Sequence, residues 1–193
     1  MEAVMEKTDT KQNILTLAQE FIQVRGYNAF SYQDISDRLK IQKASIHHHY
    51  HSKEDLGAEV MEAARVRFMD WNASLDASLT PSQRLDLFLE SLNAWAKQKD
   101  RICLTGIFSA EWNTLPPKVK KKVDEFQMIR RQWLVKTLEA GRKSGEFKGG
   151  KPVEEQAIFI QSAIQGALQI ARLQEKPSHY LAVVEQVKEM VKK

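Results

Sequence analysis

Residues 26–56 read GYNAFSYQDISDRLKIQKASIHHHYHSKEDL, and the punctuation of this stretch decides the fold. Gly26 suits the left-handed position that follows a helix end, so it closes a first helix whose apolar face is Ile14, Leu17, Ala18, Phe21 and Ile22, with Thr10 as the expected cap. Ser31, three residues before Asp34, has the spacing of a capping box and opens a second helix with Tyr32, Ile35 and Leu39 inward. Lys40 and Ile41 then form a turn. A third short helix covers Gln42 to His49 with Ile46 and Tyr50 inward, and Ser52 opens a fourth that runs through Leu56, Val60, Ala64, Phe68 and Trp71. Two short helices joined by a tight turn and backed by a preceding helix make a helix-turn-helix, whose second helix is sized to lie in a DNA major groove.

Outward from this unit, apolar residues keep the helical period, and alternating strand patterns and Asn-Gly or Asp-Gly hairpin turns are absent. Thr80-Pro81 is a cap followed by proline at the first helical position, and it opens a helix carrying Leu85, Phe88, Leu89, Leu92 and Trp95. A short apolar helix spans Leu104 to Ala110. Pro116-Pro117 opens a long helix with Val119, Val123, Phe126, Trp133, Val135 and Leu138, ending in the Gly141 to Gly150 segment. Pro152 opens the next, to about Leu173, and Pro177-Ser178 caps the last, striped by Tyr180, Leu181, Val184, Val187 and Val191. The expectation is an all-α protein of about nine helices. Two domains are expected, residues 1–56 around the helix-turn-helix and residues 57–193 a helical body.

Bulk composition bounds the partners. The 193 residues carry a formal net charge of +4, so the protein is mildly basic, far from the charge of a DNA-packaging protein. Residues 1–56 hold seven Lys or Arg against eight Asp or Glu, so only local clustering supplies phosphate contacts. Such a cluster exists: from Arg38 to Lys53 there are four basic residues, four histidines and no acid. The single cysteine, Cys103, rules out an intramolecular disulfide and fits a reducing compartment. Met1 to Thr10 is polar and charged, and no run approaches the ~20 apolar residues of a membrane span, so a cytoplasmic protein is expected. No cofactor is called for. His47 and His51 are four apart, but consecutive side chains on a helix diverge by ~100° and His51 falls past the helix end, so the histidine run is not read as a metal site.

The segment resembles the DNA-binding domain of the TetR (tetracycline-repressor-like) family. That family's signature is a Thr/Ser-led helix, a short helix ending in Tyr-x-His-Phe, and then Ser-Lys-Glu-x-Leu. Here those positions read Ser31, His47-His48-His49-Tyr50 and Ser52-Lys53-Glu54-Asp55-Leu56. There are departures. Lys40 stands where the family has a turn glycine, Gln42 where a capping Ser or Thr is usual, and His47 where tyrosine is usual. The resemblance implies a repressor that binds a palindromic double-stranded DNA operator as a homodimer and is released by a small-molecule effector. Lys43, Ser45, His47 and His48 are the candidates for base edges and nearby phosphates. Ser31, Tyr32 and Lys53, at two helix starts, are the candidates for phosphates, and Gln33 for a base edge or a phosphate.

The helix from Pro152 to Leu173 is apolar on more than one side, so one face covers its own domain and another a second copy. In the resembling family the last two helices form a dimeric four-helix bundle. The interface candidates are Phe159, Ala163, Gly166, Ala167, Ile170, Tyr180, Val184 and Val187. The middle helices enclose the effector in that family, which makes Trp95, Cys103, Phe108, Trp112, Met128, Trp133, Phe159, Gln161 and Gln165 candidates for a pocket that takes a largely apolar molecule. Some repressors of this pattern carry a reactive thiol in a Cys-Leu pair like Cys103-Leu104. Against that, the flanking Ile102, Leu104 and Ile107 read as a buried wall where the thiol is inert. Lys118, Lys120, Lys121 and Lys122 read as a solvated helix face.

Two other functions compete. A helical scaffold with a degenerate helix-turn-helix is made conceivable by Lys40 and Gln42. An all-α enzyme lacks a visible nucleophile, base and orienter set or a glycine-rich phosphate loop.

Overall fold

The computed structural model describes residues 10–98 and 101–193. The polar, charged stretch Met1 to Thr10 lies outside the described residues, except at Thr10, which is the first residue of α1 and not the expected cap. The chain order is α1 (Thr10–Arg25), α2 (Tyr32–Leu39), α3 (Lys43–His49), α4 (Lys53–Ser74), α5 (Pro81–Ser91), α6 (Asn93–Ala96), α7 (Leu104–Ala110), a 3-10 turn (Trp112–Thr114), α8 (Pro117–Ser144), α9 (Val153–Leu173) and α10 (Pro177–Val191). The single helix expected from Pro81 to Trp95 is broken at Leu92, and its last turn becomes α6.

The helix ends obey their local chemistry. Ser31 and Asp34 form the reciprocal capping box, Ser52 caps α4 through the Asp55 N–H, and Thr80 with Gln83 makes a second box before Pro81. Gly26 takes φ 102°, a conformation that L side chains resist.

Two apolar cores result. The first joins α1 to α4 with Leu104, Phe108, Leu115, Val119, Val123 and Phe126, so the head's core continues past residue 56 into α7 and α8. The second joins α5, α6, α8, α9 and α10 around Phe88, Leu134, Phe147 and Tyr180. Phe68 of α4 packs against both. Ion pairs reinforce the junction between α4 and α8. Lys118 pairs with Asp55 at 2.5 Å, and Lys122 with Glu62 at 3.0 Å. Half of the expected solvated lysine face is thus an inter-helix clasp, because α8 lies along the acidic side of α4.

Candidate nucleic-acid interface and ligand cavity

The recognition element is built from its turn. Lys40 sits at φ 57°, ψ 39°, the left-handed conformation that a glycine would take at lower cost, so α2 and α3 keep a tight turn without glycine. Ser36 donates its hydroxyl to the Ile41 carbonyl at 2.6 Å, which pins the same turn. Gln42 precedes α3 without a side-chain cap, leaving the first N–H groups of α3 open to solvent or phosphate.

Ile46 is fully buried and fixes the orientation of α3. Residues two positions away on a helix lie ~200° round, so Ala44 and His48 point most directly outward; both are exposed. Lys43 and His47 are exposed beside them, whereas Ser45 is half-buried. The ring of His47 packs on Tyr32 at 4.9 Å, and its Nδ1 lies 3.2 Å from the His51 carbonyl. Ala44 and Gln42 are outward positions that the charge-based reading passed over. The buried Ile46 was the signal that could have found Ala44.

The helix-start residues divide. Ser31 and Gln33 are exposed, though each already has an acid partner, Asp34 and Asp37. Hydrogen bonding from Ser31 holds the Asp34 carboxyl below its ordinary range. Tyr32 is half-buried and donates to the Tyr50 carbonyl at 3.0 Å; burial raises its phenol well above the usual value. Lys53, expected at a phosphate, turns inward. Its ammonium donates to the Phe30 carbonyl and lies over the Tyr27 and Phe30 rings at 4.9 and 4.5 Å. Burial lowers its pKa. The partner comes from the turn before α2: Phe30, just before Ser31, presents a carbonyl outside the helix to the Lys53 ammonium.

A cavity of about 180 Å³ lies between α4, α5, α6, α7 and α8. Trp95 and Cys103, both among the expected pocket residues, line it. Gln165 stands behind them, donating to the Cys103 sulfur at 3.1 Å and accepting from the Thr105 hydroxyl at 3.0 Å. Trp133 joins the adjoining aromatic cluster. Its ring lies 5.0 Å from Phe88, and its Nε1 donates to Asn72 at 2.6 Å.

The other pocket candidates lie elsewhere. Phe108 is sealed in the first core, 6.0 Å from Tyr27. Trp112, Met128 and Phe159 are exposed, and Gln161 bonds Gln127 along α8. Met128 is two positions from both Phe126 and Arg130, which puts it on the opposite side of α8. Among the cavity residues missed were Arg67, Phe68, Phe88, Thr105, Phe126 and Arg130. Arg130 had a signal, since it occupies the buried stripe Val119, Val123, Phe126, Arg130, Leu134, Thr137 and Gly141, where an apolar residue is the rule.

Comparison with known proteins decides the family. Residues 14–60 match the family model described as bacterial regulatory proteins, tetR family, and residues 81–187 match the tetracyclin repressor-like C-terminal domain, more than half of the chain. The chain belongs to the TetR family.

A TetR relative, the HTH-type transcriptional repressor DhaR of Mycobacterium sp. (strain GP1), is 27% identical over 191 residues, covering 93% of this chain and 92% of its own. The crystal structure of a TetR regulator from Legionella pneumophila superposes with TM-score 0.87 at 29% identity, covering 97% of this chain and 100% of that one. A TetR-family regulator from Agrobacterium tumefaciens gives TM-score 0.89 at 26% identity over 95% of this chain and 97% of that one. The protein is thus a DNA-binding transcription regulator with a TetR head and a helical ligand-responsive body.

In that TetR body the expected dimer residues fall into two sets. Phe159 and Ile170 are 52% and 47% exposed, Gly166 has open space above it, and Ala163 is half-buried. Ala167, Tyr180, Val184 and Val187 are instead buried inside the chain's own core. The Tyr180 hydroxyl reaches the Leu89 carbonyl at 2.5 Å, which locks α10 onto α5. Leu173 and Leu181, at 77% and 44% exposure, extend the outward apolar face in their place.

Proposed function

We propose that two copies pair through the outward face of α9 and α10, bind a pseudo-palindromic operator with their two α3 helices, and let go when a small ligand fills the cavity. TetR-family regulators bind operators, usually as dimers, with small-molecule effectors. Repression in the cytoplasm is the mode this reading assigns to the present chain. Among the described residues no helix is long and apolar enough to cross a membrane.

One observation carries the coupling. α4 begins at Lys53, against the recognition unit, and runs without a break to Ser74, giving Ala64, Arg67 and Phe68 to the cavity wall. A ligand that prefers a tilted α4 shifts the spacing of the two recognition helices. Linkage then requires DNA to weaken ligand binding by the same factor, with a coupling of about 1–3 kcal/mol. Cys103, with its sulfur at this wall, is where an electrophile would act. The test is operator affinity titrated against a ligand found by thermal shift. A cavity ligand that leaves operator affinity unchanged refutes the coupling.

A further inference from the structure

The cavity is charged in an unusual way. Arg130 of α8 is only 9% exposed, yet its guanidinium has no carboxylate partner and no hydrogen bond among the described residues. It is held between two rings, with its carbon 5.6 Å from the Phe88 centroid and 5.7 Å from that of Phe126. Burial lowers its pKa. Arginine stays cationic even so, and a largely buried cation without a counter-charge is disfavoured. A second guanidinium, Arg67 of α4, lines the same space, and among the described residues no aspartate or glutamate does. The remaining wall is apolar and aromatic, with Thr105 and Cys103 adding short polar groups.

We infer that the ligand of this cavity is a small organic anion, a short-chain carboxylate whose carboxyl group pairs with Arg130 and whose tail lies against the aromatic wall. The inference rests on the cavity being the effector site. The planar guanidinium fork matches a carboxylate in bidentate fashion, and the pair forms where water is scarce. At about 180 Å³ the space is smaller than the ~300–1,000 Å³ of a drug-sized site, which points to a short acid and not a long acyl chain. Arg67 explains how such an anion would be felt at the head. Its Nη2 donates to Gln19 of α1 at 2.7 Å, and an anion at Arg130 draws this second cation off Gln19 towards the cavity. That breaks a tie between α4 and the helix that supports α2 and α3.

The test uses the full chain, thermal shift and calorimetry, with butyrate and hexanoate as probes and hexanamide and 1-hexanol as neutral controls. The acids are expected to bind about tenfold or more tightly than the neutral probes, and Arg130→Met is expected to abolish that preference. Arg130→Met removes an unpaired buried charge and keeps the bulk, so the variant stays folded. Arg130→Lys, which keeps a point charge but loses the fork, should retain a weakened preference. Neutral probes binding as well as the acids, an acid preference that survives in Arg130→Met, or no acid binding at all would each overturn the inference. If 1-hexanol alone binds and lowers operator affinity, the effector reading stands and the anion inference falls. If hexanoate binds through Arg130 and operator affinity does not change, the anion inference stands and the coupling falls.

Discussion

The carboxylate of Glu111 accepts the backbone N–H of Tyr27 at 2.6 Å, and its other oxygen accepts that of Asn28 at 3.3 Å. A side chain at the end of α7 thus grips the turn after α1. A Cβ on Gly26 would lie 2.6 Å from the same carboxylate, so glycine serves here for close approach as well as for its φ. Because α7 starts beside the cavity at Leu104 and Thr105, it spans about 10 Å between cavity and head, and the proposed coupling gives it the role of a second strut beside α4. Glu111→Ala strands the Tyr27 N–H and should destabilise the protein by about 1–3 kcal/mol in urea unfolding. It should also blunt the ligand's effect on operator affinity. Wild-type stability and coupling in that variant would remove the strut.

The two lysines of the motif should separate cleanly. Lys43→Ala is expected to weaken operator binding and to lower the salt slope by about one, with stability unchanged. Lys53→Ala should lose stability instead, since it frees the Phe30 carbonyl and two ring contacts. Salt-dependent binding and urea unfolding on both variants decide it. A reduced slope with native stability in Lys53→Ala would return that residue to the phosphates.

The interface is best probed from outside the core. Ile170→Glu is expected to give a folded monomer by sedimentation, with operator affinity lost, because Ile170 faces away from its own domain. Ala167→Glu, at 5% exposure, should unfold the body and so reports nothing about pairing. A stable dimer of Ile170→Glu would place the interface elsewhere.

Acid should loosen the α4 to α8 clasp. Hydrogen bonding from Arg65, aided by Lys122, holds the Glu62 carboxyl down at about 2. Since that lies below its unfolded value near 4.5, the stabilisation is fully present above about pH 4.5 and is lost as pH falls towards 2. Glu62→Gln should flatten the stability curve in that window, by less than about 1 kcal/mol, because both partners are partly exposed. An unchanged pH profile would show that the Glu62 pairs with Arg65 and Lys122 contribute nothing measurable.

What was legible in the sequence followed from local chemistry. Caps, prolines and the apolar period marked the helices because Ser31, Thr80 and Pro117 act within one turn of themselves. The recognition helix was legible because Ile46 and Tyr50 leave the other side to the outside. Roles set by distant partners were not legible. Lys53 meets the Phe30 carbonyl twenty-three residues earlier in the chain, and Glu111 meets Tyr27 eighty-four residues away. Tyr180 and Val184 carry the same apolar stripe whether they cover their own domain or a second copy, so the stripe alone assigned them to the wrong side of α10. Arg130 was hidden by its type, since a lone arginine in an amphipathic helix is ordinarily solvated.

The central claim is that two α3 helices read DNA as a pair. Selection of bound duplexes from a random pool tests it most directly. The account predicts a pseudo-palindromic consensus whose half-sites lie about one helical turn or more apart, ~34–36 Å per turn, with the half-site preference altered by Ala44→Ser and His48→Ala. Failure to enrich any sequence, or a single non-repeated site untouched by both substitutions, would contradict it.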